Sequence, residues 1–134
     1  MRIEKHEETL KEVLDEIELA SKNPKGLIAH QRRLAFALSL GASTLIELYF
    51  HKLNIMKEGS RIDHRFFKKS NMKEQLGKQI TSPIDSVENI NDIIDIARKI
   101  EEKRDDLAYG APAEEKILQE KINLFFKLRG LVKC

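Results

Sequence analysis

The sequence predicts an all-α fold: one domain over residues 1–134, an antiparallel bundle of four or five helices. Three observations carry this expectation. Apolar residues recur at three- and four-residue steps through long runs, no stretch alternates with the period of a strand, and Pro, Gly and Asn gather between the runs. The length suits one core without a metal or disulfide to hold it together. A hydrophobic fraction of 41% supplies that core, and the charged fraction of 34% exceeds the roughly 25% of an average globular domain.

The first helix is expected over residues 3–21, where Ile3, Leu10, Val13, Leu14, Ile17 and Ala20 form one stripe. Asn23, Pro24 and Gly26 stop it. The second is expected over residues 27–53 and is apolar around most of its circumference, as befits a helix covered on most sides. Its small residues, Gly41 and Ala42 among them, admit a close neighbour from the same chain or from a second subunit. Residues 54–63 read as a loop with Gly59 and Ser60 as breakers. A shorter helical stretch follows over residues 64–79, with Ser70 and Asn71 placed to divide it. Asp85 and Glu88 have the spacing of a capping box, which predicts a helix over residues 86–109. Gly110 then stands at the left-handed closing position, and Pro112 in the first turn of a last helix carrying Ile117, Leu118, Ile122, Phe125 and Leu128.

Charge is segregated. Residues 1–20 carry three basic and seven acidic groups, net −4, and residues 57–79 carry seven basic and three acidic groups, net +4. Opposed solvated faces and a phosphate-binding surface both fit this pattern. The single cysteine, Cys134, has no intramolecular partner, and a reducing cytoplasm is the expected compartment. Residues 1–8 are charged and hold no apolar run, so no signal peptide is predicted. The apolar-rich stretch 34–50 is interrupted by polar residues and falls short of the ~20 positions of a spanning helix, so no membrane association is expected. His6, His30, His51 and His64 make no three- or four-residue ligand pair with another His or Cys, so neither a metal nor a cofactor is predicted. There is no Gly-rich phosphate loop and no marked Ser or Cys nucleophile.

One residue breaks the pattern. Steps of three and four from Ile93 through Ala97 and Ile100 reach Arg104, which puts a guanidinium on an apolar stripe. Such a group must pair, snorkel or look into a cleft. Asp105 and Tyr109, four apart, share a neighbouring face, so a fixed cation, carboxylates and a phenol gather where the helix is expected to end. Pairing of Arg104 with Asp105, Asp106 or an acid of the first helix is the structural reading. A phosphate-binding arginine beside a proton-handling group is the functional one.

This closing segment, Arg104-Asp105-Asp106-Leu107-Ala108-Tyr109-Gly110, resembles the HEPN superfamily (higher eukaryotes and prokaryotes nucleotide-binding). The resemblance covers nearly the whole chain: an amphipathic first helix, a long apolar second helix, a basic excursion containing Ile62-Asp63-His64-Arg65, and the helix that ends at Gly110. It implies a homodimer whose two motifs face a shared cleft, metal-independent ribonuclease chemistry, and in some cases a toxin paired with a nucleotidyltransferase or other antitoxin. Arg104 matches the motif arginine, Asp105 the polar residue after it, and Tyr109 the position usually held by histidine. That departure is chemical. An imidazole accepts a proton near pH 7, whereas a phenol of pKa near ~10 mostly donates. The expectation is therefore RNA or nucleotide binding with weak or lost ribonuclease activity, with His64 the candidate substitute base. Arg65, Lys68 and Lys69 are the candidate nucleic-acid contacts, and Phe66 and Phe67 either stack on bases or anchor their segment in the core. The rival expectations are a non-catalytic helical module that binds a nucleotidyltransferase or antitoxin, and an active ribonuclease toxin in which Tyr109 serves.

Overall fold

The computed structural model describes residues 2–132, and Cys134 lies outside the described residues. The chain is all-α. Helix α1 (Arg2–Lys22) runs into the Pro24–Gly26 turn, and a 3₁₀ turn (Leu27–His30) leads into α2 (Gln31–Lys52). Gly26 has φ +87°, a left-handed value that glycine adopts without strain. The Glu115 carboxylate closes this corner by accepting from the amides of Leu27 and Ile28 (2.7 and 3.3 Å).

Helix α2 is the central element. Leu34, Ala42, Ile46 and Phe50 are fully enclosed, and the small residues meet a neighbour from the same chain. A β-carbon on Gly41 would stand 2.6 Å from Cε1 of Phe125 and 3.0 Å from Cγ1 of Val13. The absent side chain is thus what lets the first and last helices close on α2. The run Leu27–Lys52 is long and apolar enough to cross a membrane by length and composition, and 78% of its most apolar window is buried within the domain.

The loop 54–63 is tied to residues 79–81 by an isolated antiparallel bridge between Met56 and Ile80, and by hydrogen bonds from Lys57 N to Gln79 O and from Thr81 N to Ile55 O. The basic stretch divides at Ser70-Asn71 as expected, into a 3₁₀ turn (His64–Lys68) and α3 (Met72–Gly77). Phe67 and Met72 are buried there and Phe66 packs against the core, so the aromatic pair anchors the segment.

The helix expected over residues 86–109 is corrected in three ways. It begins at Ile90: Asp85 lies in a 3₁₀ turn (Ile84–Ser86) and pairs with Lys73, and Asn89 enters the helix with φ 64°. It breaks after Glu101: α4 is Ile90–Glu101 and α5 is Arg104–Tyr109, with Lys103 between them at φ 60°. The Lys121 ammonium, buried on α6 (Glu115–Leu131), donates to the carbonyls of Lys99, Ile100 and Glu102. A cation there satisfies the orphan carbonyls and opposes the negative end of the α4 dipole. Burial pushes the Lys121 pKa below its ordinary value, and Glu102 and Glu101 work the other way. Finally, Gly110 is extended, not left-handed, and Pro112 precedes the first turn of α6 instead of standing in it. Gln31 ends α5 in place of a glycine cap: its amide donates to Leu107 O and Ala111 O and accepts from Ala113 N.

Candidate functional site

The break at Glu102–Lys103 turns Arg104 from the end of one helix into the first residue of another. Its side chain is 16% exposed. The guanidinium carbon lies 5.0 Å from the centre of the Phe36 ring, over its face, an arrangement that attracts a cation to the ring quadrupole. Nη1 donates to Asp105 Oδ1 at 2.9 Å, while Nε is buried without a hydrogen-bond partner. Tyr109 is 70% exposed and stands edge-to-face with the same Phe36 ring, at 5.9 Å and 72°. Phe36 therefore touches both Arg104 and Tyr109. Leu40, one turn further along α2 and 51% exposed, continues this half-open apolar strip.

On the other side of Arg104 a surface groove of about 450 Å³ runs between the 64–68 turn and α5, lined by Lys68, Arg98, Lys103, Glu102, Asp105 and Asp106 with others. Its charges balance in sign, so it draws anions only where a cation is spare. Lys68 lies 3.2 Å from Asp105 Oδ2 and 3.9 Å from Glu101 Oε2. These contacts, the one from Lys68 first and the one from Arg104 after it, hold the Asp105 carboxyl below the usual carboxylate range. Asp105 is thus ionised and shared between two cations.

Beneath the groove sits a residue that the sequence reading passed over. Glu101 is 2% exposed, and both its oxygens are engaged: Ser39 Oγ donates to Oε1 at 2.7 Å, and His64 Nδ1 is 3.0 Å from Oε2. The substitute base proposed from sequence is therefore joined to the site only through Glu101 and Lys68, and it is absent from the groove's lining. Its Nδ1 is oriented by a buried carboxylate, the arrangement that fixes a histidine tautomer in acid–base sites. Glu101 was detectable in principle. It lies four residues after Ala97, on the edge of the apolar stripe, where an unpaired acid does not belong.

The other predicted contacts are exposed, but not equally available. Arg65 is folded back on Asp63, with Nη2 to Oδ2 at 2.8 Å and Nε to Oδ1 at 3.1 Å, while its backbone amide also donates to Oδ1. Lys69 is exposed at the end of the turn, and its carbonyl accepts from Arg98. The Arg65 guanidinium, chief among these contacts, holds the Asp63 carboxyl well below its ordinary value. A carboxyl depressed on folding stabilises above its unfolded pKa near ~4, and that contribution is lost as pH falls through and below it. Asp63→Asn should therefore lower the urea midpoint at pH 7, and the gap from the parent should close as the pH is taken below ~4. A gap independent of pH would refute the assignment.

The geometry of Arg104, Phe36 and Glu101 belongs to a chain that no protein-family model, curated protein or solved structure matches. Its functional reading rests on its own side chains.

Proposed function

We propose that this protein is a HEPN-like homodimer that binds RNA or a nucleotide phosphate through Arg104 at a cleft between two copies, with weak or lost ribonuclease activity. The observation that supports this reading most is the setting of Arg104. The guanidinium is held on Phe36 between an open groove and an exposed apolar strip, and among the described residues it makes a single ion pair. A guanidinium offers five donors in a planar fork, so one exposed carboxylate leaves capacity for a phosphate. Phe36, Leu40 and Tyr109 give a second copy an apolar surface to cover beside that arginine.

The chemistry follows from what is missing. The Tyr109 phenol is solvent-exposed and is a poor base at neutral pH. His64 is oriented by Glu101 but lies outside the groove lining, which favours binding over turnover.

Labelled RNA and a labelled nucleotide are to be incubated with the protein and with Arg104→Ala, followed by retention and cleavage assays. Loss of the guanidinium should weaken retention at least about tenfold, or 1.4 kcal/mol, and flatten its salt dependence. Sedimentation of Leu40→Glu should show a monomer where the parent is a dimer. Equal retention and equal cleavage by the parent and Arg104→Ala would remove the proposal.

One observation favours a second reading, a non-catalytic module for a nucleotidyltransferase or antitoxin partner. A separate groove of about 490 Å³ between α1, α2 and α6 is lined by Leu10, Leu14, Leu45, Leu48 and Phe126. Pull-down of a nucleotidyltransferase from native extract, lost on Phe126→Glu and kept by Arg104→Ala, would establish it in place of the first.

A further inference from the structure

The first and second helices bring together three side chains that are far apart in sequence. Glu47 and His51 share one face of α2 at four-residue spacing, and His6 reaches them from the start of α1. Their candidate ligand atoms all lie within 4.8 Å of one another. Oε2 of Glu47 is 2.6 Å from His6 Nε2 and 3.8 Å from His51 Nε2, and the two imidazole rings are 5.4 Å apart with a 34° tilt. Glu47 is 7% exposed, and Ile62 N–H donates to its other oxygen at 2.6 Å. That hydrogen bond orients the carboxylate and leaves Oε2 facing the histidines.

The contact between His6 and Glu47 is close but is not a hydrogen bond. His6 Nε2 is buried and has no hydrogen-bond partner although Oε2 is 2.6 Å away, so the ring nitrogen is not aimed at that oxygen. Ligands of a common ion behave this way, because their lone pairs converge on a point to one side of the line between them. With metal–ligand distances of about 2.0–2.1 Å and tetrahedral angles, neighbouring ligand atoms stand about 3.3 Å apart. The two distances here bracket that spacing.

We infer that His6, Glu47 and His51 form a binding site for one divalent transition-metal ion of the zinc class. The donor set decides the class. Two imidazoles and a carboxylate suit Zn²⁺, whereas Ca²⁺ and Mg²⁺ take oxygen ligands. The bound ion would clip the start of α1 to the end of α2, while Ile62 steadies the carboxylate from outside the first ring of ligands. The site is about 16–23 Å along α2 from Phe36, at 1.5 Å per residue, and does not depend on the reading of Arg104. The expectation of no metal drawn from sequence weighed His and Cys pairs alone. Glu47 with His51 is the half-site it did not count.

The test uses the full chain without an affinity tag, stripped by chelator and titrated with Co²⁺ and then Zn²⁺. The parent should bind one equivalent of Co²⁺ with the intense visible bands of a tetrahedral or five-coordinate site. Zn²⁺ should bleach those bands and raise the melting temperature. His6→Gln and His51→Gln should each weaken binding at least about tenfold and abolish the thermal shift while keeping the parent's circular dichroism. His6→Gln alone is sufficient should the α2 variant fail to fold. Cys134→Ser should leave the spectrum unchanged. Absence of the bands in the parent, their persistence in His6→Gln, or their loss in Cys134→Ser would each overturn the assignment.

Discussion

Glu101→Ala should destabilise the protein by about 2–3 kcal/mol, chiefly by leaving the buried Ser39 hydroxyl without its acceptor. The reason is how much converges on one carboxylate. It accepts from Ser39 on the central helix and holds His64 of the basic turn, and Lys68 lies within ion-pair reach. Truncation leaves the Ser39 hydroxyl buried without its acceptor and removes the anion beside the histidine, and both losses carry a desolvation cost. Glu101→Gln keeps the shape and an acceptor for Ser39 while losing the charge, and should cost about 1 kcal/mol. Urea denaturation of the two variants separates these effects. A loss below about 1 kcal/mol for the alanine would mean that the carboxylate is not the tie between helix and turn. The consequence reaches the site. With Glu101 gone, Lys68 keeps Asp105 as its remaining ion-pair partner among the described residues, so under the proposed function any retention of RNA should change with the order of the 64–68 turn.

How much of this was legible beforehand depends on whether the cause is local. The first helix ends where Asn23, Pro24 and Gly26 say it must, and the basic stretch divides at Ser70-Asn71, because those signals act on their own backbone. The break between α4 and α5 has no such signal. Residues 101–104 read Glu-Glu-Lys-Arg, good helix formers throughout, and what ends α4 is the Lys121 ammonium, brought by a helix some twenty positions away. A Lys in left-handed conformation at position 103 persists only because that tertiary contact outweighs local preference. The capping box of Asp85 and Glu88 failed as well, because Asp85 sits inside a 3₁₀ turn (Ile84–Ser86) that closes before the helix begins.

In the candidate site, sequence spacing found Arg104 because a permanent charge on an apolar stripe is conspicuous. Phe36 was invisible as a site residue, since an aromatic on an apolar helix reads as core, and only its contacts with both Arg104 and Tyr109 distinguish it. The register that paired Arg104 with the helix end was wrong by one element. Asp105 is therefore a first-turn acid of α5 rather than a last-turn acid of α4, and it is favoured there by the positive end of the helix dipole.

The packing of the bundle itself makes the other large prediction. Phe125→Ala should cost about 3–5 kcal/mol, the usual toll for emptying a fully buried aromatic site. More informative is its coupling to Gly41. A β-carbon there would come within 2.6 Å of the edge of the Phe125 ring, so Gly41→Ala, which otherwise gains helix propensity of nearly ~1 kcal/mol, should be a net loss of about 1–2 kcal/mol. Phe125→Leu removes the ring edge and makes room. The double variant Gly41→Ala/Phe125→Leu should then be more stable than the sum of the single losses by about 1 kcal/mol, a coupling typical of residues in contact. Additive losses would mean that the glycine is required by Val13 on α1, the other side chain within reach, and Val13→Ala in the same cycle would then show the coupling instead. Either way the small residue on α2 is accounted for inside one chain, which leaves the half-open strip of Phe36, Leu40 and Tyr109, not Gly41, as the surface that the proposed dimer would use.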